Sequence, residues 1–450
     1  MRIVVFSQYW SPENGIPQRR WEWLTRLLIA EGHEVLVVAP PPKQQRDSFS
    51  GISSGGSEVL RVGSEVGACG EVIIRSPYIK SGHSLVHRAA AQGVIAFGQL
   101  FAVVKKRKQL LDFKPDLVVG TVPAIPTAYV SVIAARFLTT PYAIDLRDAW
   151  PDLLSVIDRW NESTGHQSLR ERVLGKLPAN IIGGIVSKSM NRILARAGTI
   201  FVTSGLYATE LERRLGNSRA KPSIRVVRNV FPPKSEEVSK TRKPKESSEA
   251  PLKILYAGTL GRAQNLQDVI TAAEIAEEAG VKIRLKLIGA GAARKALERR
   301  VRDTEVNVEI LDRRPAEELT ELYSWCDTAL IHLASWPELR FAVPSKTFEL
   351  MHLGKHVTAV VDGEARELIE SLEAGDVATP GDPEGLAKVW VELFNDRSKL
   401  VVKNRAHDWV DYQYRKGAPE EFLAGIKEAA NGKHERSSAL RFRFPRGDGA

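Results

Sequence analysis

The sequence predicts an α/β chain made of two doubly wound, parallel-sheet domains, and three observations lead there. Short apolar, β-branched runs alternate with amphipathic helical stretches along nearly the whole chain, the pattern of βαβ units whose sheets are buried on both faces. The length, 450 residues, is about three times the ~150 of a typical domain. A polar stretch at 232–251 halts the alternation, which then restarts.

Arg2 to Phe6 reads as the first strand, and the polar turn to Gly15 as the loop after it. Pro17 suits a first helical turn, Trp21, Leu24, Leu27 and Leu28 mark one helix face, and Gly32 ends the helix before the strand Glu34 to Ala39. Further strands are expected at Val72–Arg75, Asp116–Gly120, Tyr142–Asp145, Thr199–Thr203 and Ile224–Arg228, with helices through Leu111 and over Ala124–Phe137. Residues 232–251 hold no aromatic residue and mostly Lys, Glu, Ser and Pro, a linker composition. The first domain is therefore assigned to 1–231 and the second to 252–404. Strands of the second are expected at Lys253–Ala257, Ile283–Ile288, Val306–Leu311, Thr328–Ile331 and Val357–Val361. The last residues, 432–450, read as a disordered basic tail.

At 43% apolar and 26% charged residues the body of the chain is neither disordered, collagenous nor a coiled coil. Two cysteines, Cys69 and Cys326, make no disulfide framework and no metal pair, which suits a reducing compartment; a cytoplasmic location is expected. No signal peptide and no bilayer-spanning run is read. The net charge of +10 suits an anionic partner without choosing among nucleic acid, lipid and phosphorylated substrate.

Four constellations could carry chemistry. Gly15 precedes a helix whose free N–H groups could meet an anion, although a plain turn glycine looks the same. Gly289-Ala-Gly291 joins a strand to a helix like part of a dinucleotide fingerprint, but Arg294 fills the third glycine position, so nicotinamide is not expected and a phosphate-tolerant turn remains. In Pro344-Ser345-Lys346-Thr-Phe-Glu349 a cation occupies a first helical turn, disfavoured by the dipole unless it meets a phosphate, and Glu349 could accept from sugar hydroxyls; a solvated Lys–Glu pair is the alternative. Asp145-Leu-Arg147-Asp148-Ala-Trp150 places acids, an arginine and a tryptophan after a strand, either as a site or as a helix-capping pair.

The order of Tyr9-Trp-Ser-Pro-Glu with Gly15, Gly32-His-Glu-Val35, Asp145 to Pro151, Val227-Arg-Asn229, Tyr256-Ala-Gly258-Thr259-Leu-Gly261, Gly289-Ala-Gly291 and Pro344 to Glu349 resembles family-four glycosyltransferases over roughly residues 1–395. The Asp-x-Trp-Pro and Pro-Ser-Lys-x-x-Glu elements are most similar to the N-acetylfucosamine transferases of bacterial surface-polysaccharide assembly. The resemblance implies a GT-B fold, two Rossmann-like domains facing a cleft, with helices near 405–428 crossing back onto the first domain. It implies a retaining, metal-independent transferase that moves a sugar, an N-acetylated hexosamine or deoxyhexosamine, from a UDP-linked donor to a glycan or polyprenyl-linked acceptor. No cofactor is expected.

Carried over by position, Glu349 matches the glutamate that binds the nucleotide ribose, and its partner eight residues earlier falls on Phe341, which makes Glu338 the substitute. The family's diphosphate-binding arginine and lysine fall on Thr259 and Gln264, which makes Arg262 and Lys346 the replacements. Asp148, Lys346 and Glu349 are thus the expected catalytic residues. Gly15, Gly258, Thr259, Arg262, Gly289, Gly291, Ser345 and Glu338 are expected on the donor, and Asp145, Arg147 and Trp150 on the acceptor side. Residues 87–108, apolar and then basic at Lys105 to Lys108, are expected to meet an anionic membrane; burial of that helix is the alternative. A sugar-nucleotide epimerase of the same fold is the rival activity. No nucleic-acid-binding signature is read.

Overall fold

The structure, a computed structural model, describes residues 1–13, 15–42, 62–78, 85–153, 176–216, 221–231 and 250–432. Most of the expected linker and the basic tail lie outside the described residues.

The first domain contains β1 (Arg2–Phe6), α1 (Ile16–Ala30), β2 (Glu34–Ala39), β3 (Gly63–Val66), β4 (Val72–Arg75), α2 (Leu85–Lys105), α3 (Arg107–Phe113), β5 (Leu117–Val122), α4 (Ile125–Phe137), β6 (Tyr142–Leu146), α5 (Lys176–Leu194), β7 (Thr199–Val202), α6 (Gly205–Leu215) and β8 (Ser223–Val226). Its sheet has the order β3-β4-β2-β1-β5-β6-β7-β8, parallel except for the β3–β4 pair. Ile3 to Phe6 are wholly buried because helices cover both faces of this central strand, each such side chain contributing about 1.5–3 kcal/mol. Pro17 lies in the first turn of α1, and Gly32 takes a left-handed φ of 74° just beyond it, where glycine carries no Cβ penalty.

The second domain contains β9 (Leu252–Thr259), α7 (Gln267–Glu278), β10 (Ile283–Ala290), α8 (Arg294–Arg302), β11 (Asn307–Leu311), α9 (Ala316–Trp325), β12 (Thr328–His332), α10 (Ser345–His352), β13 (Val357–Val360), α11 (Glu364–Ser371), β14 (Gly375–Ala378) and α12 (Pro383–Asn395). Its sheet is parallel in the order β11-β10-β9-β12-β13-β14. Strand order therefore reverses between β1 and β5 in one domain and between β9 and β12 in the other. The crevices beyond the strand carboxyl ends at these points are where open α/β sheets take ligands.

The chain then forms α13 (Arg405–Tyr412), a π turn at Gln413–Gly417 and α14 (Ala418–Asn431). Helix α14 lies on β6, β7 and β8 of the first sheet and against α1. Phe422 packs against Trp21 and Phe201, with ring centroids 6.1 and 5.2 Å away. Gly425 is required there: a Cβ would lie 2.4 Å from Phe201 Cε1.

Further contacts tie the domains directly. Glu364, at the start of α11, accepts hydrogen bonds from Ser204 Oγ (2.6 Å) and Leu206 N (2.9 Å) at the start of α6, and it pairs with Arg228. Burial raises the Glu364 pKa, but Arg228 and the two hydrogen-bond donors outweigh it and hold the carboxyl below its usual range. Phe341 packs on Tyr207 at 5.2 Å. The position that the resemblance gives to a glutamate is thus an apolar plug between the domains.

Candidate active site

The segments after β9, β10 and β12 are bound together in the second domain. His332 Nδ1 lies 2.7 Å from the Gln264 carbonyl, and Ala334 N donates to the Ala263 carbonyl at 2.8 Å. Burial pushes the His332 imidazole down to about 4, so it holds the turn as a neutral group. Leu260 N donates to Ala290 O and Ala293 N to Leu260 O, at 3.0 and 2.9 Å. A Cβ on Gly289 would sit 1.8 Å from Gly258 O, and one on Gly291 2.1 Å from Leu260 O. The close passage of the Gly258–Leu260 backbone thus requires glycine at both positions, whether or not a phosphate also lies there. Gly258 leaves room for the Tyr256 hydroxyl, which donates to the Thr259 carbonyl at 2.7 Å. Arg262 opens a 3₁₀ turn on this crevice, and Glu338 lies half-buried on another at Pro337–Phe341.

Helix α10 carries the most concentrated polar group. Lys346 Nζ donates to both Glu349 carboxylate oxygens at 3.0 Å and to the Tyr323 hydroxyl at 2.9 Å. Tyr323 Oη in turn lies 3.3 Å from Glu349 Oε1. Ser345 begins this helix, so the Pro-Ser-Lys-x-x-Glu element forms its first turn. Arg19 of α1 approaches from the other domain, its guanidinium 4.7 Å from the Phe231 ring centre. Burial lowers the Arg19 pKa, opposed first by the negative charge of Glu349. Lys346, Arg19 and Glu349 thus come together beside hydrogen-bonding groups, with Glu22 a further negative neighbour of Arg19. Tyr323 and Arg19 went unrecognised in sequence because only the fold brings them to Glu349.

The segment after β6 forms the first domain's contribution. Asp145 is not open to an acceptor, contrary to expectation. It is wholly buried, receives Arg20 at 2.8 Å from Nη2 and 3.2 Å from Nε, and accepts the Trp21 indole N–H at 2.8 Å. Arg20 also donates to Val227 O (2.8 Å) and Asn229 Oδ1 (3.0 Å), so this ion pair ties α1 to β6 and to the chain after β8. Asp148 is exposed to solvent, in a loop where surrounding protein atoms still disfavour its charged form. Burial raises its pKa, and adjacent Arg147 opposes the rise. Trp150 is half-buried beside it, its carbonyl accepting from the Tyr207 hydroxyl at 2.8 Å. Leu153 of this loop and Ala263 of the Arg262 turn both pack against the buried Ala334–Trp336 pair. Gly15 stands as the N-cap of α1, where a Cβ would lie 2.4 Å from Gln18 Oε1 and in ordinary contact with Pro17.

The family model "Glycosyl transferase 4-like domain" matches residues 17–229, and "Glycosyl transferases group 1" matches 237–416. The chain is a GT-B glycosyltransferase. Among proteins similar to this glycosyltransferase is WcaI of Escherichia coli (strain K12), a glycosyl transferase named for colanic acid biosynthesis, 22% identical over 410 residues, covering 86% of this chain and 89% of the relative. A sucrose-phosphate synthase from Thermosynechococcus elongatus shares the fold with a TM-score of 0.62 at 14% identity, over 95% of this chain and 98% of its own. Anabaena Alr3699/HepE in complex with UDP-glucose shares it with a TM-score of 0.57 at 16% identity, over 96% and 98%.

Proposed function

We propose that the enzyme transfers a glycosyl unit, an N-acetylated hexosamine or deoxyhexosamine, from a UDP-linked donor to a hydroxyl of a glycan or polyprenyl-linked acceptor, with retention, in surface-polysaccharide assembly. The observation that carries it is the cluster of Lys346 and Glu349 on α10 with Tyr323 of α9, and Arg19 across the cleft. The names of WcaI and of the UDP-glucose complex support the reading. Glu349 accepts from the ribose hydroxyls, and Lys346 and Arg262 neutralise the diphosphate as the C1–O bond breaks. The acceptor oxygen bonds to C1 from the side the diphosphate leaves, and its proton passes to the departing phosphate oxygen. These cations supply the charge, so turnover is expected to persist in a metal chelator.

No helix among the described residues is long and apolar enough to cross a membrane. On α2 the expected apolar face divides: Ile95, Ala96, Ala102 and Val103 are buried, while Phe97 and Val104 are exposed together with Lys105, Arg107 and Lys108. We place this exposed set on the inner face of the cytoplasmic membrane. Sedimentation with anionic liposomes is expected to fall when Lys105, Arg107 and Lys108 are neutralised, and unchanged binding rules out the contact.

The activity is tested by melting the protein with a panel of nucleoside diphosphates and sugar nucleotides. A ligand at a hundred times its Kd stabilises by about 2.7 kcal/mol, so UDP and one UDP-sugar are expected to raise the Tm. No shift with any nucleotide refutes the proposal, and epimer formed without acceptor would assign the rival activity.

A further inference from the structure

Arg147 has a permanent charge and too few acceptors. Its backbone is pinned, since Thr203 Oγ1 donates to its carbonyl at 3.0 Å. Its guanidinium Nε and Nη1 are shielded from solvent and have no hydrogen-bond partner among the described residues, while the residue as a whole is only half-buried. The carboxylate beneath, Asp145, already receives Arg20 and Trp21. The carboxylate beside it, Asp148, makes no hydrogen bond to it among the described contacts, and burial disfavours the charged form of that acid. Across the cleft, Leu153 of the same loop and Ala263 pack against the same Ala334–Trp336 pair, and Arg262 next to Ala263 also has a buried Nε without an acceptor among the described residues. Buried N–H groups are ordinarily paired, and a guanidinium cannot shed its proton. Charge-assisted bonds to phosphate or carboxylate are the strong ones such a group forms.

We propose that Arg147 receives an anionic oxygen of the substrate, phosphate or carboxylate, at the floor of the cleft. The ligand class follows from the guanidinium alone; its assignment to donor or acceptor rests on the glycosyltransferase reading. Either the donor diphosphate or an acidic group of the acceptor has the required chemistry.

Calorimetric titration of the wild type, Arg147→Gln and Arg147→Lys tests this. UDP and inorganic pyrophosphate probe the donor side. Inorganic phosphate and glucuronate, added to UDP-saturated protein, probe the acceptor side, and uridine is the control without an anion. Arg147→Gln is expected to weaken at least one anion about tenfold or more, Arg147→Lys by less, and neither to change uridine. Loss confined to UDP and pyrophosphate assigns the donor diphosphate, and loss confined to phosphate or glucuronate assigns the acceptor. If Arg147→Gln melts early, Arg147→Lys carries the test, because it keeps the charge and loses the planar donor set. Affinities within twofold for every anion overturn the proposal. In that case intact UDP binding leaves the nucleotide-sugar reading standing. Pyrophosphate binding lost in Arg147→Gln, with no nucleotide bound by the wild type, supports Arg147 and removes that reading instead.

Discussion

Replacing Asp145 with alanine removes the one carboxylate bonded to Arg20 among the described residues and leaves a wholly buried guanidinium with neutral partners alone, Val227 O, Arg228 O and Asn229 Oδ1. Breaking one side of such a pair costs about 3–5 kcal/mol, most of it the penalty of the stranded charge. For a domain of about 200 residues each kcal/mol moves the Tm by about 2–4 °C, so a drop of about 6–20 °C is expected by scanning calorimetry. The double variant Arg20→Met with Asp145→Leu removes both charges and is expected to recover part of that loss. It does not recover all, because the Trp21 indole and the Val227 and Asn229 acceptors lose partners, at about 1–3 kcal/mol for each group left unpaired. The reasoning fails if Asp145→Ala melts with the wild type while only the acceptor KM rises. That result would return Asp145 to the acceptor side.

Three further outcomes follow from the packing. Glu364→Gln is expected to lower the Tm at neutral pH. Its folded pKa lies below the ordinary value of 4.5, so the ionised tie contributes above that value and is lost as pH falls through the folded pKa; the gap between variant and wild type closes in acid melts. Gly425→Ala drives a Cβ into Phe201 and is expected to cost about 1–3 kcal/mol, seen as earlier proteolysis of α14. Gly289→Ala, with its Cβ 1.8 Å from the Gly258 carbonyl, is expected to lower the Tm even without nucleotide; a variant that melts normally and loses only UDP would refute the backbone requirement.

The buried parallel strands were legible because both faces are covered, which makes Ile3–Phe6 and Val35–Ala39 continuous apolar runs. Gly32 and Pro17 marked the ends of α1 by local backbone preference alone. Strand β3 was not legible: Gly63–Val66 are all exposed, and their pairing comes from β4 rather than from any pattern of their own. At the site, Lys346 and Glu349 were legible because they share one helical turn. Tyr323 and Arg19 join them from remote parts of the chain, and a single sequence carries no signal of that meeting. Asp145 misled for the same reason, since its partners Arg20 and Trp21 lie 125 and 124 residues before it in sequence.

The central claim is that the first turns of α10 hold the donor nucleotide. Its most direct test is transfer and UDP binding by Lys346→Ala and Glu349→Ala, each shown by its melt to be folded. Both variants are predicted to lose transfer and to bind UDP about tenfold more weakly or worse. Wild-type turnover by either folded variant would contradict the account.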